Sequence, residues 1–149
     1  MITWLCVGAL IFWLDFLIKN LAEKKLKGKG KLKSTKTGFS LQLVHNKGFA
    51  LNKWESHPDW VKTLQSLMMI LVGVYAGIRM CFSKTGKIAL IGWSFLLGGG
   101  ASNLFDRFYR GYVVDYLGLP KIKDLYFNLS DLCIFLGSVL VVLGECKKK

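Results

Sequence analysis

Four long apolar stretches constrain this 149-residue chain more than any other feature. The first, residues 2–21, carries no charge before Asp15 and Lys19 near its end. Residues 63–78 hold 16 uncharged positions and residues 88–105 hold 18, while residues 125–144 carry a single charge, Asp131, in 20. A helix needs about 20 mostly apolar residues to cross a bilayer. Together the stretches fill about half of the chain, which excludes an ordinary soluble domain. The expectation is an all-α membrane protein of four transmembrane helices, at approximately 2–21, 62–82, 87–105 and 125–144, forming a single polytopic membrane domain over residues 1–149. The first stretch lacks a basic n-region, and Leu21-Ala22-Glu23 leads into lysines rather than a small-x-small cleavage site. It reads as a retained helix, not a cleaved signal peptide.

The loop at 22–60 opens on a lysine run, Lys24, Lys25, Lys27, Lys29, Lys31, Lys33 and Lys36, interleaved with glycine. From Phe39 to His45 apolar and polar residues alternate, a period of two that predicts a short strand. Asn46-Lys47-Gly48 reads as a turn, and Phe49-Ala50-Leu51 as a second apolar patch. The loop is therefore expected to form a small β-like element, a sheet or hairpin on the membrane surface. Trp54 and Trp60 flank the second span as interface anchors. Four crossings put both termini on one face of the membrane and both long loops on the other. Asp115, in the loop at 106–124, and Asp131, at the start of the fourth span, then share a face.

Carboxylates beside apolar helices are expensive to keep ionised and are rare without a use. Two that approach each other share one proton, the arrangement an acid–base pair needs to activate water. Asn103, Asp106 and Arg107 lie on one helical face at the end of the third span, and Asn128 and Asp131 share a face at the start of the fourth. Asp106 and Arg107 also read as an interfacial charge pair, and Asn128 as a helix cap. Asp15 and Lys19, four apart, read as an ion pair that neutralises two charges. Cys6, Cys81, Cys133 and Cys146 have no CxxC spacing and read as small packing residues. His45 and His57 are too isolated to suggest a metal, and no Gly-rich phosphate loop is present. Gly98-Gly99-Gly100-Ala101-Ser102 reads as a small-residue face for close helix packing.

Asn103-Leu104-Phe105-Asp106-Arg107, Gly111-Tyr112-Val113-Val114-Asp115 and Phe127-Asn128-Leu129-Ser130-Asp131 closely resemble the motifs of signal peptidase II, the prolipoprotein signal peptidase of bacteria. Asp15-x-x-x-Lys19 resembles that family's first-helix motif, and Asn46-x-Gly48-x-Ala50 its N-x-G-x-A-F segment. The resemblance runs in the right order from Asp15 to the end of the fourth span. Leu51 stands where the family has Phe, Phe49 where it usually has Ala, and Ile18 where Thr is more typical; these bear on substrate contacts. The resemblance implies a membrane aspartic endopeptidase that removes signal peptides from diacylglyceryl-modified prolipoproteins by cleaving before the lipidated cysteine. Asp115 and Asp131 would be the catalytic residues. Asn46, Gly48, Asn103, Asp106, Arg107 and Asn128 would bind substrate or a globomycin-like inhibitor or support the site, and Asp15 and Lys19 would be structural. It implies no metal or organic cofactor, no nucleic-acid partner, and a monomer in the lipid bilayer. It also implies the bacterial plasma membrane, with cytoplasmic termini and an extracytoplasmic active site. Charge argues the reverse orientation. The loop at 22–60 holds nine lysines and that at 106–124 four basic residues, against six on the opposite face, and basic loops favour the cytoplasm. Two other classes fit less of the chain: an ion-carrying transporter subunit and a non-catalytic scaffold. Neither uses Asn46 and Gly48.

Overall fold

The computed structural model describes residues 2–33, 39–49, 53–82, 85–119 and 125–146. Lys36, Ala50, Leu51, Lys84, Lys121, Lys123 and the lysines at 147–149 lie outside the described residues. The elements are α1 (Ile2–Leu26), β1 (Leu32–Lys33), β2 (Ser40–Asn46), α2 (Pro58–Phe82), α3 (Lys87–Tyr109), β3 (Val113–Gly118), β4 (Tyr126–Phe127) and α4 (Leu129–Cys146). All four helices are long and apolar enough to cross a membrane. The fold is a four-helix membrane bundle carrying a small antiparallel sheet at one end.

The helix ends differ from the apolar runs for local reasons. α1 continues to Leu26 because Ala22 and Leu26, four apart on one face, bury against Val114 of the sheet, so the helix outlives the apolar stretch. α2 starts at Pro58, whose missing N–H costs nothing at a first helical position. α3 runs to Tyr109, and Gly111 follows with φ +80, a left-handed conformation that suits glycine after a helix end. α4 starts at Leu129 because Tyr126 and Phe127 are spent on β4.

The sheet order is β1-β2-β3-β4, all antiparallel. The strand expected over residues 39–45 is present as β2, but no hairpin with the patch at Phe49 forms among the described residues. Its long partner is β3 from the other loop, in a register that sets Asn46 opposite Val113 and Val44 opposite Asp115. The sheet therefore joins both long loops. One face, through Val114 with Leu43, Tyr112 and Tyr116 around it, packs on the end of α1.

α3 lies at the centre of the bundle. A Cβ at Gly98 would stand 2.5 Å from the Gly8 carbonyl of α1, one at Gly99 2.7 Å from the Ser130 carbonyl of α4, and one at Gly100 2.4 Å from Met69 Sδ of α2. The glycine run is thus not one packing face but three, because successive helical residues turn by about 100°. Small residues on α4 complete the close approach, with Gly137 against Gly92 and Gly144 against Ala89. Cys133 is buried beside them, whereas Cys6, Cys81 and Cys146 are exposed on the outer surface, so the packing role expected of all four cysteines fits only Cys133.

Gly137→Ala should destabilise the bundle by about 1–3 kcal/mol, since its Cβ meets backbone on α3. Gly73→Ala, where no atom of the described residues lies within 4 Å of the added Cβ, should be neutral or stabilising by up to about 1 kcal/mol. Thermal unfolding in detergent separates the two, and equal shifts would refute the close packing of α3 on α4.

Candidate active site

Lys19 and Asp15 on α1 are fully buried. Lys19 Nζ reaches Asp15 Oδ2 at 2.7 Å, Asp106 Oδ2 at 3.1 Å and Asn103 Oδ1 at 2.8 Å. Asp15 in turn accepts from the hydroxyls of Ser102 and Ser130 at 2.6 Å each and from the Ser130 amide at 3.1 Å. The ion pair expected from the i,i+4 spacing is present, yet it does not sit alone at an interface; it clamps α1 to α3 and α4. Asp106 also pairs with Arg110 at 2.9 Å and accepts from the Val114 amide at 3.2 Å. Its ion-pair partners among the described residues are Lys19 and Arg110, not the neighbouring Arg107. The charge-pair reading of Asp106 with Arg107 is corrected accordingly. Arg107, mostly buried, donates instead to the Gly48 carbonyl at 2.6 Å, which ties the first long loop to α3.

Each candidate carboxylate is faced by amides. Asp115 Oδ1 accepts from Asn128 Nδ2 at 2.7 Å, and its Oδ2 from Asn46 Nδ2 at 3.0 Å. Asp131 Oδ1 accepts from Asn103 Nδ2 at 2.8 Å, and its Oδ2 from the Asn128 amide at 3.1 Å. None of the three side-chain amides is free to flip. Lys19 is a donor only, so the Asn103 atom it touches is oxygen and the nitrogen must face Asp131. The Gly48 amide donates to Asn46 Oδ1 at 3.0 Å and the Asp131 amide to Asn128 Oδ1 at 3.0 Å, with the same consequence for Asp115. Asn128 is therefore both the cap of α4 and a donor to Asp115; the two alternatives open in the sequence hold together. With Asp131 three residues on, the pair forms a reciprocal capping box.

A cavity of about 620 Å³ opens on this cluster, lined by Asn46, Asn103, Arg107, Asp115 and Asp131 at one end and by apolar side chains of α2, α3 and α4 beyond. All ten residues singled out from the sequence thus meet in one region, five of them on the cavity wall. Among the described residues no three His, Cys, Asp or Glu side chains come together as a metal site. Sequence reasoning missed Ser102 and Ser130, the hydroxyls that hold Asp15. It also missed Tyr116, whose hydroxyl accepts from the Leu129 amide at 3.1 Å. Both serines lay inside the quoted motifs, but a serine in an apolar helix gives no sign of which carboxylate it serves.

The sequence profile of the family described as signal peptidase (SPase) II matches residues 7–147. The chain belongs to the signal peptidase II family. It is 30% identical to a lipoprotein signal peptidase of Pseudomonas aeruginosa (strain UCBPP-PA14), over 98% of this chain and 89% of that one. It is 33% identical to the lipoprotein signal peptidase of Gloeobacter violaceus, over 74% of this chain but 62% of that longer relative. A solved bacterial membrane enzyme has the same fold, with a TM-score of 0.83 at 18% identity, covering 100% of this chain and 93% of that one.

Within this family member, burial pushes the Asp115 carboxyl up to about 7 from 3.8, and the neighbouring Asp131 adds to the rise; the amides of Asn46 and Asn128 oppose it. The folded-state value lies above the unfolded one. Asp115 therefore favours the fold below about pH 4 and loses that contribution as pH rises through about 7. The thermal midpoint in detergent should fall over that window, and Asp115→Asn should flatten the fall. An unchanged slope in the variant would mean that Asp115 is not the group responsible.

Proposed function

We propose that the chain is an aspartic endopeptidase that cleaves diacylglyceryl-modified prolipoproteins immediately before the lipidated cysteine, using Asp115 and Asp131 as its catalytic pair. The family supplies the peptidase activity and the prolipoprotein substrate class. The observation that carries the rest is that both carboxylates line one apolar cavity, each faced by oriented amide donors.

The chemistry follows from sharing one proton. The ionised partner takes a proton from water as its oxygen attacks the scissile carbonyl carbon. The protonated partner donates to the carbonyl oxygen, stabilising the tetrahedral species. As the carbon–nitrogen bond breaks, a proton passes to the leaving amine and the pair returns to its single-proton state. A carboxyl raised to about 7 keeps that proton available near neutral pH, and the titration belongs to the pair. Arg107, on the same cavity wall, balances the one remaining negative charge. No metal or organic cofactor is needed for these steps. The apolar part of the cavity suits a signal peptide and acyl chains held in lipid, and a globomycin-like inhibitor would occupy the same space.

Asp115→Asn and Asp131→Asn should each lower cleavage of a lipidated prolipoprotein by about 10²–10⁴-fold, the usual contribution of a positioned acid or base. Both should remain folded. A gel-shift cleavage assay on purified protein reads this, and near-wild-type turnover in either variant would remove that residue from the pair.

The proposed setting is the bacterial plasma membrane, with the protein acting as a monomer. Its termini would be cytoplasmic and its catalytic pair on the outer face, where lipidated substrates are processed. The lysine run from Lys24 to Lys36 would then lie along anionic headgroups of the outer leaflet. In single-cysteine variants of intact cells, Lys31→Cys should react with an impermeant reagent and Lys148→Cys should be protected. The opposite pattern would mean that the charge rule wins and the pair faces the cytoplasm.

A further inference from the structure

Below the two carboxylates the cavity wall among the described residues is almost wholly apolar, with two polar exceptions, Gln65 on α2 and Ser138 on α4. Ser138 spends its hydroxyl on the Ile134 carbonyl of its own helix at 2.8 Å. On α2, Thr63 and Ser66 do likewise, donating to the carbonyls of Asp59 and Lys62 at 2.8 Å each. Gln65 differs. Its Nε2 donates across to the Gly100 carbonyl of α3 at 3.4 Å, while its Oε1 is buried with no partner among the described residues. An acceptor left bare in a low-dielectric wall costs free energy until a donor arrives.

We propose that Gln65 is a substrate-binding residue whose Oε1 accepts a hydrogen bond from a backbone N–H of the signal peptide, one or two residues before the scissile bond. This rests on the peptidase reading above and adds the element that recognises the peptide chain itself. A bond offered to two carboxylates must lie in an extended segment, so the substrate's own helix has to unwind there. Unwinding leaves backbone N–H groups without their helical carbonyls, in a place with no bulk water to replace them. An unpaired acceptor is what such a segment requires. Because Nε2 is held by Gly100, the free atom of Gln65 is an acceptor only, which selects an N–H over a carbonyl.

The position fits as well. Gly100 is three residues further into the bundle than Asn103, the Asp131 donor, which is about 4.5 Å along the α3 axis. An extended peptide advances about 3.3 Å per residue, so Gln65 stands between one and two residues from the carboxylates. Met69 packs on the same glycine, which fixes this turn of α2 against α3 and keeps Gln65 on the cavity wall. A neutral amide also offers no charge to bury.

The test uses the full chain in detergent with a synthetic lipopeptide and two analogues, N-methylated one or two residues before the scissile bond. Affinity is measured with the Asp115→Asn enzyme, so that binding is read without cleavage, and kcat/KM with the active enzyme. Gln65→Leu should weaken lipopeptide binding about five- to tenfold, and N-methylation at one of the two positions should weaken wild-type binding similarly. In Gln65→Leu the same N-methylation should cost little more. The thermal midpoint of the unliganded variant should be unchanged or raised, since a bare acceptor is gone; a merely structural glutamine would lower it. If the N-methyl penalties are the same in Gln65→Leu as in the wild type at both positions, the proposal is overturned. Should Gln65→Leu not fold, the structural role is the correct one, and Gln65→Met, which keeps the length without the acceptor, must then fail in the same way. Absence of cleavage by the active enzyme would count against the peptidase reading alone, because the binding arm stands without it.

Discussion

A buried lysine governs this structure. Lys19 has three donors and no acceptor, and it is fully enclosed, so its ammonium must find acceptors inside the protein. That condition is met by Asp15 from its own helix and by Asp106 and Asn103 from α3. With Arg110 on the other oxygen of Asp106, two cations face two anions and the cluster is neutral. Such a cluster is weak evidence for net stability, because desolvation offsets much of its attraction. Losing one member is different: it leaves a charge stranded in the bundle at a cost of about 3–5 kcal/mol. The cluster therefore specifies one arrangement of α1 on α3 and resists others. Its effect reaches the site through Asn103, whose amide nitrogen is turned toward Asp131 because its oxygen is claimed by Lys19.

The same logic repeats twice at smaller scale. A backbone N–H claims the oxygen of Asn46 and another claims the oxygen of Asn128, and both side chains then present nitrogen to Asp115. Three asparagines thus act as one-way adapters between the framework and the two carboxylates. Glutamate or aspartate could not serve there, having only acceptors when ionised. Nor could serine, whose rotating hydroxyl would leave the direction of donation undecided. Chemically similar residues at these places would fill the space and lose the orientation.

What the sequence disclosed about this arrangement depended on range. The four spans were readable because apolarity over about 20 residues is a local property, and Asp15 with Lys19 was readable as a pair because four residues make one helical turn. Their enclosure was not, since it depends on Ser102, Asp106 and Ser130, which lie far along the chain. β2 showed its alternation, but its partner β3 was missed. The Val113-Val114 pair that marks a strand was read only as part of a motif, and a strand pairing between two separate loops has no local trace. The glycine run misled in a related way. Read as a string it is one small-residue patch; on a helix it is three contacts pointing at three neighbours. The candidate site was located by motif order, and the hydrogen bonds of its asparagines were visible only in the geometry.

The central position of α3 explains how a bundle of this size holds a rigid site beside an open cavity. α1 and α4 approach it through glycine and are locked to it and to each other by Asp15, which takes bonds from both Ser102 and Ser130. α2 has no such buried ion cluster. It meets α3 at Gly100 through Met69 and Gln65, through Tyr75 against Trp93 and through Lys62 over Phe108, and meets α4 through the Arg79–Glu145 ion pair at the far end of the bundle. Gln65 apart, the part of the cavity wall that α2 supplies is Met68, Met69 and Val72, which repacks around different shapes more readily than a polar wall does. Rigidity is thus concentrated around the two carboxylates, and adaptability along the apolar wall where the proposed signal peptide would lie. The division follows from where the sequence places its few buried charges: all of those that enclose the site lie on α1, α3 and α4 or on the sheet, and none on α2.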